Sequence, residues 1–83
     1  MTKKRIRVAY YALLRQERGL AEEMIDFEAD TTARDLFIQL KTEHKFRLSE
    51  SQVKVAINSK ISPWETPLKH GDSILLMPPV AGG

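Results

Sequence analysis

Cysteine is absent from the 83 residues. That excludes a disulfide framework, a dithiol redox pair, a thiol nucleophile and a thiolate metal site. Any sulfur chemistry must therefore run on a sulfur that the chain carries rather than owns. The two histidines, His44 and His70, do not form a recognisable ligand set without cysteine. Long apolar runs are missing too. The longest fall far short of the roughly 20 residues of a membrane helix, so no membrane span is expected. The charged N-terminus is not followed by a signal-peptide core, so a cytoplasmic protein is expected. Neither sign of charge dominates. Lys and Arg number 13 against 11 Asp and Glu, a net charge of +2, which is too weak to indicate nucleic acid. The basic start (Lys3, Lys4, Arg5, Arg7) is short and lacks interleaved stacking aromatics. With the acidic second quarter, Glu22 to Asp35, it reads as a solvated surface of mixed sign.

What is present supports one soluble domain: 42% hydrophobic and 29% charged residues over a length that allows a single small core. Arg5 to Tyr10 alternates, with Ile6, Val8 and Tyr10 on one side and Arg5, Arg7 and Ala9 on the other, which predicts a half-buried strand. The polar stretch Arg15 to Gly19 predicts a turn or short loop. Ile25 and Phe27 alternate with Met24, Asp26 and Glu28, so a second strand follows and forms a hairpin with the first. Ala33, Leu36, Phe37 and Leu40 are spaced i, i+3, i+4, i+7, the apolar stripe of a helix. Thr32 and Asp35 form a candidate capping box at its start. His44 and Lys45 place cations at its end, where the helix dipole favours them, and His44 is expected on the surface.

Val53, Val55 and Ile57 predict a third strand, closed by a turn at Asn58 and Ser59. Ile61 to Pro67, with two prolines and Trp64, is expected to be irregular or briefly extended. Lys69-His70-Gly71-Asp72 predicts a turn with Gly71 at positive φ. The unalternating run Ile74 to Met77 predicts a last strand covered on both faces, in the middle of a sheet. The fold class is therefore α+β, a mixed sheet packed on one main helix, with the folded domain expected over 1–77 and a flexible tail over 78–83.

That tail is Pro78-Pro79-Val80-Ala81-Gly82-Gly83. Pro78 cannot donate to a strand ladder, so pairing should end there, and two prolines favour a stiff, extended segment. Gly82 and Gly83 have no Cβ, so a pocket can close tightly on their backbone. Six residues at 3.3–3.6 Å each reach about 20 Å, which suits delivery of a chain end into another protein's buried site. A terminal carboxyl, ionised near a pKa of ~3.5, is a poor electrophile until activated, for example as an acyl-adenylate. Sulfide transfer then gives a thiocarboxylate whose sulfur is the better nucleophile.

The tail resembles the Pro-Pro-Val-x-Gly-Gly ending of the small subunits of molybdopterin synthase. Tyr10-Tyr11-Ala12-Leu13-Leu14-Arg15 is similar to that family's aromatic-Ala-x-x-Arg stretch, with Tyr10 and Tyr11 in place of the commoner Phe and Gln16 where Glu is usual. Val55-Ala56-Ile57-Asn58 is similar to its Val-x-Val-Asn strand end, and Pro67-Leu68-Lys69-His70-Gly71-Asp72 to its Pro-Leu-x-x-Gly-Asp turn. The resemblance implies a ubiquitin-like β-grasp fold and a sulfur carrier whose working group is Gly83. It implies an ATP-dependent adenylyltransferase, a sulfur donor protein and a synthase large subunit as partners, in a heterotetramer whose catalytic side chains belong to the large subunit. ATP is used by the activating enzyme, and this chain itself is expected to bind no cofactor, metal, nucleic acid or membrane. Gly82, Ala81, Val80, Pro79 and Pro78 become partner-binding candidates, with Arg15 by family position beside a surface or structural role. Trp64 is assigned to packing before interface, and Asn58 to its turn. The alternatives are a carrier for thiamine thiazole synthesis or tRNA thiolation, a ubiquitin-like protein modifier, and a non-catalytic interaction module.

Overall fold

The computed structural model describes residues 4–28 and 30–78. The elements are β1 (Lys4–Tyr10), α1 (Ala12–Arg18), β2 (Glu22–Phe27), α2 (Ala33–His44), β3 (Lys54–Ile57), β4 (Lys60–Ser62) and β5 (Ser73–Met77). They build one five-stranded mixed sheet in the order β2-β1-β5-β3-β4. β1 and β5 run parallel, and the other neighbouring pairs are antiparallel.

The alternation in β1 does what a period of two requires. Ile6, Val8 and Tyr10 point inward and are buried. Register carries that side across the sheet, through Val8 opposite Ile74, Tyr10 opposite Leu76, and Val55 and Ile57 opposite Leu76 and Ile74. The buried stripe of α2 is Ala33, Leu36, Phe37 and Leu40, as the spacing predicts, and it joins these strand residues in one core. The helix starts at a complete capping box. Thr32 Oγ1 accepts from the Asp35 N–H and Asp35 Oδ2 accepts from the Thr32 N–H, each at 3.2 Å. It ends at Lys45 in the left-handed region. Lys41 Nζ there donates to the carbonyls of Phe46 and Leu48 at 2.8 and 3.2 Å.

The expected turns are in place. Asn58 and Ser59 both have positive φ, 52° and 73°, the two-residue arrangement whose twist matches a hairpin, here joining β3 to β4. Gly71 takes φ +89° and donates its N–H to the Arg5 carbonyl at 2.8 Å. Trp64 packs, with its ring centroid 5.1 Å from that of Phe37, and its indole N–H donates to the Glu50 carbonyl at 3.0 Å.

Two expectations need correction. Arg15 to Gly19 is not a loop: it is most of α1, with Gly19 (φ 82°) as the left-handed cap whose N–H returns to the Arg15 carbonyl. Seven residues with one buried side chain, Leu14, cannot display a helical stripe. The usable signals were the run of helix-favouring Leu, Arg, Gln and Glu and the glycine after it. β1 and β2 do pair antiparallel, but their connection contains this helix and is no simple hairpin turn. The other correction concerns β5. It is the central strand, yet only Ile74 and Leu76 are buried, and Leu75 and Met77 stay half-exposed on the opposite face. α2 covers one side of the sheet, so an apolar run in the central strand leaves part of itself uncovered.

Candidate functional site: the tail root and the open sheet face

Five of the candidate site residues, Pro79, Val80, Ala81, Gly82 and Gly83, lie outside the described residues. Pro78 and Arg15 lie within them, and they locate where the tail begins. β5 ends at Met77 and Pro78 follows as the first unpaired residue, as a residue without an N–H dictates. β1 is the parallel neighbour of β5, with Tyr10 opposite Leu76, so both strands finish at the same end of the sheet. α1 begins there, directly after Tyr11. The segment returns to that end, where the Ala21 carbonyl accepts from the Tyr10 N–H at 2.9 Å. The tail root is thus bordered by Tyr11 and α1.

The face of the sheet away from α2 is open. Its central row runs Ile61, Ala56, Leu75, Ala9, Glu22 across β4, β3, β5, β1 and β2. Flanking rows add Lys54 beside Met77, and Ser73, Arg7 and Met24. Ile61 is 71% exposed and Met24 55%. Apolar groups on one face, with the cations Arg7 and Lys54 among them, mark an interaction surface more readily than scattered single exposures do. Arg5 and Asp26 pair across the same face at 2.7 Å, both well exposed, so that pair adds little stability.

Arg15 sits on α1, exposed, and makes no ion pair among the described residues. Ala12, Gln16, Gly19, Leu20 and Ala21 line with it an open concavity of about 550 Å³. Beneath α1 lies a polar cluster that the sequence did not reveal. The buried Tyr10 hydroxyl donates to Glu23 Oε2 at 2.6 Å, and Arg18 grips the same carboxylate through Nε at 2.7 Å and a second nitrogen at 2.8 Å. The Arg18 contact holds Glu23 below the usual carboxylate range. Burial, and then the bond to Glu23, pushes Tyr10 well above the ordinary phenol range. The signal available was weak, because residues from three elements meet here without a shared period.

Other polar groups are committed to structure. Among the described residues Asp72 is the buried charged one, and its two oxygens accept from Asn58 Nδ2 at 2.9 Å and the Lys69 N–H at 2.8 Å. Asn58 Oδ1 accepts in turn from the Ser73 N–H at 3.0 Å, so Asn58 does hold its turn. His44 lies near the surface against Phe46, ring centroids 5.8 Å apart. Among the described residues no group of three or more His, Asp or Glu could hold a metal ion, and no helix is long and apolar enough to cross a membrane. The arrangement sets Pro78, the root of the tail, at one end of a sheet whose open face is apolar and partly cationic.

The model of the ThiS family matches residues 8–83, nearly the whole chain and its tail. The chain belongs to the ThiS family. A relative from Haemophilus influenzae, the molybdopterin synthase sulfur carrier subunit, is 30% identical over 80 residues, covering 94% of this chain and 99% of the relative. Among solved structures, molybdopterin converting factor subunit 1 of Pyrococcus furiosus superposes with a TM-score of 0.81 at 32% identity, covering 93% of this chain and 99% of that one. The complex of subunits 1 and 2 of molybdopterin-converting factor from Helicobacter pylori matches with a TM-score of 0.62 at 26% identity, over 95% and 99% of the two chains. The chain is a sulfur carrier of the ThiS type on a ubiquitin-like β-grasp fold, in which the central strand leads into the family's tail.

Proposed function

We propose that the chain is the sulfur carrier subunit of molybdopterin synthase, with the carboxyl of Gly83 as its working group. The observation that carries this reading is the joining of a family-matched tail to the central strand, at an end of the sheet bordered by exposed apolar and cationic side chains. An adenylyltransferase uses ATP to adenylate Gly83: a carboxylate oxygen bonds to the α-phosphorus and pyrophosphate leaves. A hydrosulfide equivalent from a sulfur donor protein adds to the acyl carbon, AMP leaves, and a proton is released to give the thiocarboxylate. The charged carrier docks on the large subunit, in a heterotetramer of two carriers and two large subunits, within the cytoplasm. There the sulfur passes to cyclic pyranopterin monophosphate, and water restores the carboxylate.

This chain contributes presentation. The β-grasp body offers the open face to each partner, and Pro78, Pro79, Val80, Ala81 and Gly82 fill a narrow channel that larger side chains would block. No cofactor is needed in the carrier itself, because the activating ATP belongs to the partner.

Incubation with ATP, adenylyltransferase and sulfide should raise the intact mass by about 16 Da, the exchange of one oxygen for sulfur. Addition of the large subunit and the pyranopterin should then return the mass to its starting value. A thiocarboxylate consumed by a thiazole synthase or a tRNA-thiolating enzyme, and not by the large subunit, would reassign the pathway. Isopeptide-linked lysines in place of a thiocarboxylate would make the chain a protein modifier, and no reaction at all would leave it an interaction module.

A further inference from the structure

We infer that the outer edge of β2 is a docking site for an extended, basic segment of another protein, which adds to the sheet as a further strand with its lysines or arginines turned toward α2. The inference goes beyond the sulfur chemistry, because β2 lies two strands from the tail-bearing β5, about 10 Å across the sheet.

Backbone direction comes first. The Arg7 N–H donates to the Asp72 carbonyl at 3.0 Å, and the Arg5 carbonyl accepts from the Gly71 N–H at 2.8 Å, so both residues turn their backbone groups toward β5. Such directions alternate along a strand. Ile6 and Val8 therefore turn theirs to β2, opposite Ile25 and Glu23, and the Tyr10 N–H continues the pattern to the Ala21 carbonyl. It follows that Glu22, Met24 and Asp26 direct their backbone groups away from the sheet. β2 is an end strand of six residues, and such an edge is a template for an added extended chain.

Charge selects the occupant. β2 and its continuation carry Glu22, Glu23, Asp26 and Glu28 and no cation. Asp26, Phe27, Glu28, Thr31 and Gln39 line a concavity of about 220 Å³ between this edge and α2. Asp35, Gln39 and Glu43 are all exposed and, at i, i+4 and i+8, form one row along that flank of the helix. Arg5 and Arg18 neutralise Asp26 and Glu23, but among the described residues Glu28, Asp35 and Glu43 pair with no lysine or arginine. The cations of β1 lie on the other side, where Arg5 and Arg7 share the open face with Asp26 and Met24. An added strand thus meets acid on its α2 side and arginine on its open-face side. That calls for Lys or Arg at alternate positions toward α2, and small apolar residues opposite Met24. A second copy cannot supply such a strand. Its basic strand β1 is paired on both sides, its β2 would set acid against acid, and its β4 is only three residues long.

A seven-residue probe, acetyl-Lys-Val-Lys-Val-Lys-Val-Lys-amide, tests this with the full chain by backbone NMR titration and amide hydrogen exchange. The Met24 amide faces outward and should exchange at least about tenfold more slowly with the peptide bound, while that of Ile25, already turned to β1, stays unchanged. In the inferred register the valine N–H groups face β2. N-methylation of the valines should weaken binding at least about tenfold, and N-methylation of the lysines by much less. Gln39→Lys and Glu43→Lys should each weaken binding, more at low salt than at high. Met24→Pro removes an outward N–H, a change that an edge strand accepts, and should abolish binding without unfolding the chain. Should that variant fail to fold, the N-methylated peptides and the Met24 exchange rate still decide. Equal binding of a peptide with glutamate for lysine, binding that N-methylated valines leave intact, shifts confined to the open face, or no binding at millimolar peptide overturns the inference. So does a dimer of the chain itself that Met24→Pro dissolves. The assay does not use the C-terminus, so its failure leaves the carrier reading standing, and failed sulfur loading leaves this inference standing.

Discussion

Replacement of Asp72 by asparagine tests how the tail-bearing strand is anchored. Both carboxylate oxygens are acceptors, one from the Asn58 side-chain amide and one from the Lys69 N–H. Asparagine offers one oxygen, so its NH2 must face one of those two donors. Asn58 cannot rotate to compensate, because its own oxygen accepts from the Ser73 N–H, the first residue of β5. One charge-assisted bond is lost, the other is weakened, and a donor is set against a donor in a largely buried site. A hydrogen bond to a charged group contributes roughly 1.5–3 kcal/mol. Asp72→Asn should therefore cost about 2 kcal/mol, and Asp72→Ala about 3 kcal/mol by the same reckoning. In a domain of this size each kcal/mol lowers Tm by about 4–8 °C, so Asp72→Ala should melt roughly 12–24 °C lower. Urea unfolding of Asp72→Asn, Asn58→Ala and the double variant would show coupling of about 1 kcal/mol or more. A cost under about 0.5 kcal/mol for Asp72→Asn, the range of an ordinary surface change, would refute the polarity-locked network.

Phe37 is buried against Trp64 and Phe46, and Phe37→Ala should cost about 3–5 kcal/mol in urea unfolding through the cavity it leaves. Glu23 has a folded-state pKa below its ordinary 4.5. Its contribution is therefore present above the unfolded value and is lost as pH falls through the folded one. The stability difference between wild type and Glu23→Gln should accordingly shrink below pH 4.5, and a pH-independent difference would contradict the assignment. Deletion of Gly82 and Gly83 should abolish sulfur transfer and leave the melting temperature within about 2 °C, since the core formed by the described residues runs no further than Leu76. A lost thermal transition would show the tail to be structural.

The sequence was legible where a period or a special conformation imposes a residue type. Alternation in β1, the four-residue stripe of α2 and the Thr32–Asp35 cap each correspond to observed geometry. So do Gly71 at positive φ and the two-residue turn at Asn58 and Ser59. α1 escaped because one buried leucine defines no stripe. The open face escaped because Ile61 of β4 and Leu75 and Met77 of β5 meet only through long-range register, and an apolar run in a central strand reads the same whether one face is covered or two. The Tyr10–Glu23–Arg18 cluster joins residues up to 13 positions apart, each unremarkable alone. The tail gave the strongest clue to function, and the structure adds where it begins.

The most direct test of the account is the mass of the C-terminal peptide of the chain isolated from cells in which the synthase is active. The carrier account predicts a fraction about 16 Da heavier than the carboxylate form, lost when the adenylyltransferase is deleted. A peptide found only as carboxylate, even where the large subunit is absent and a charged carrier would accumulate, would contradict it.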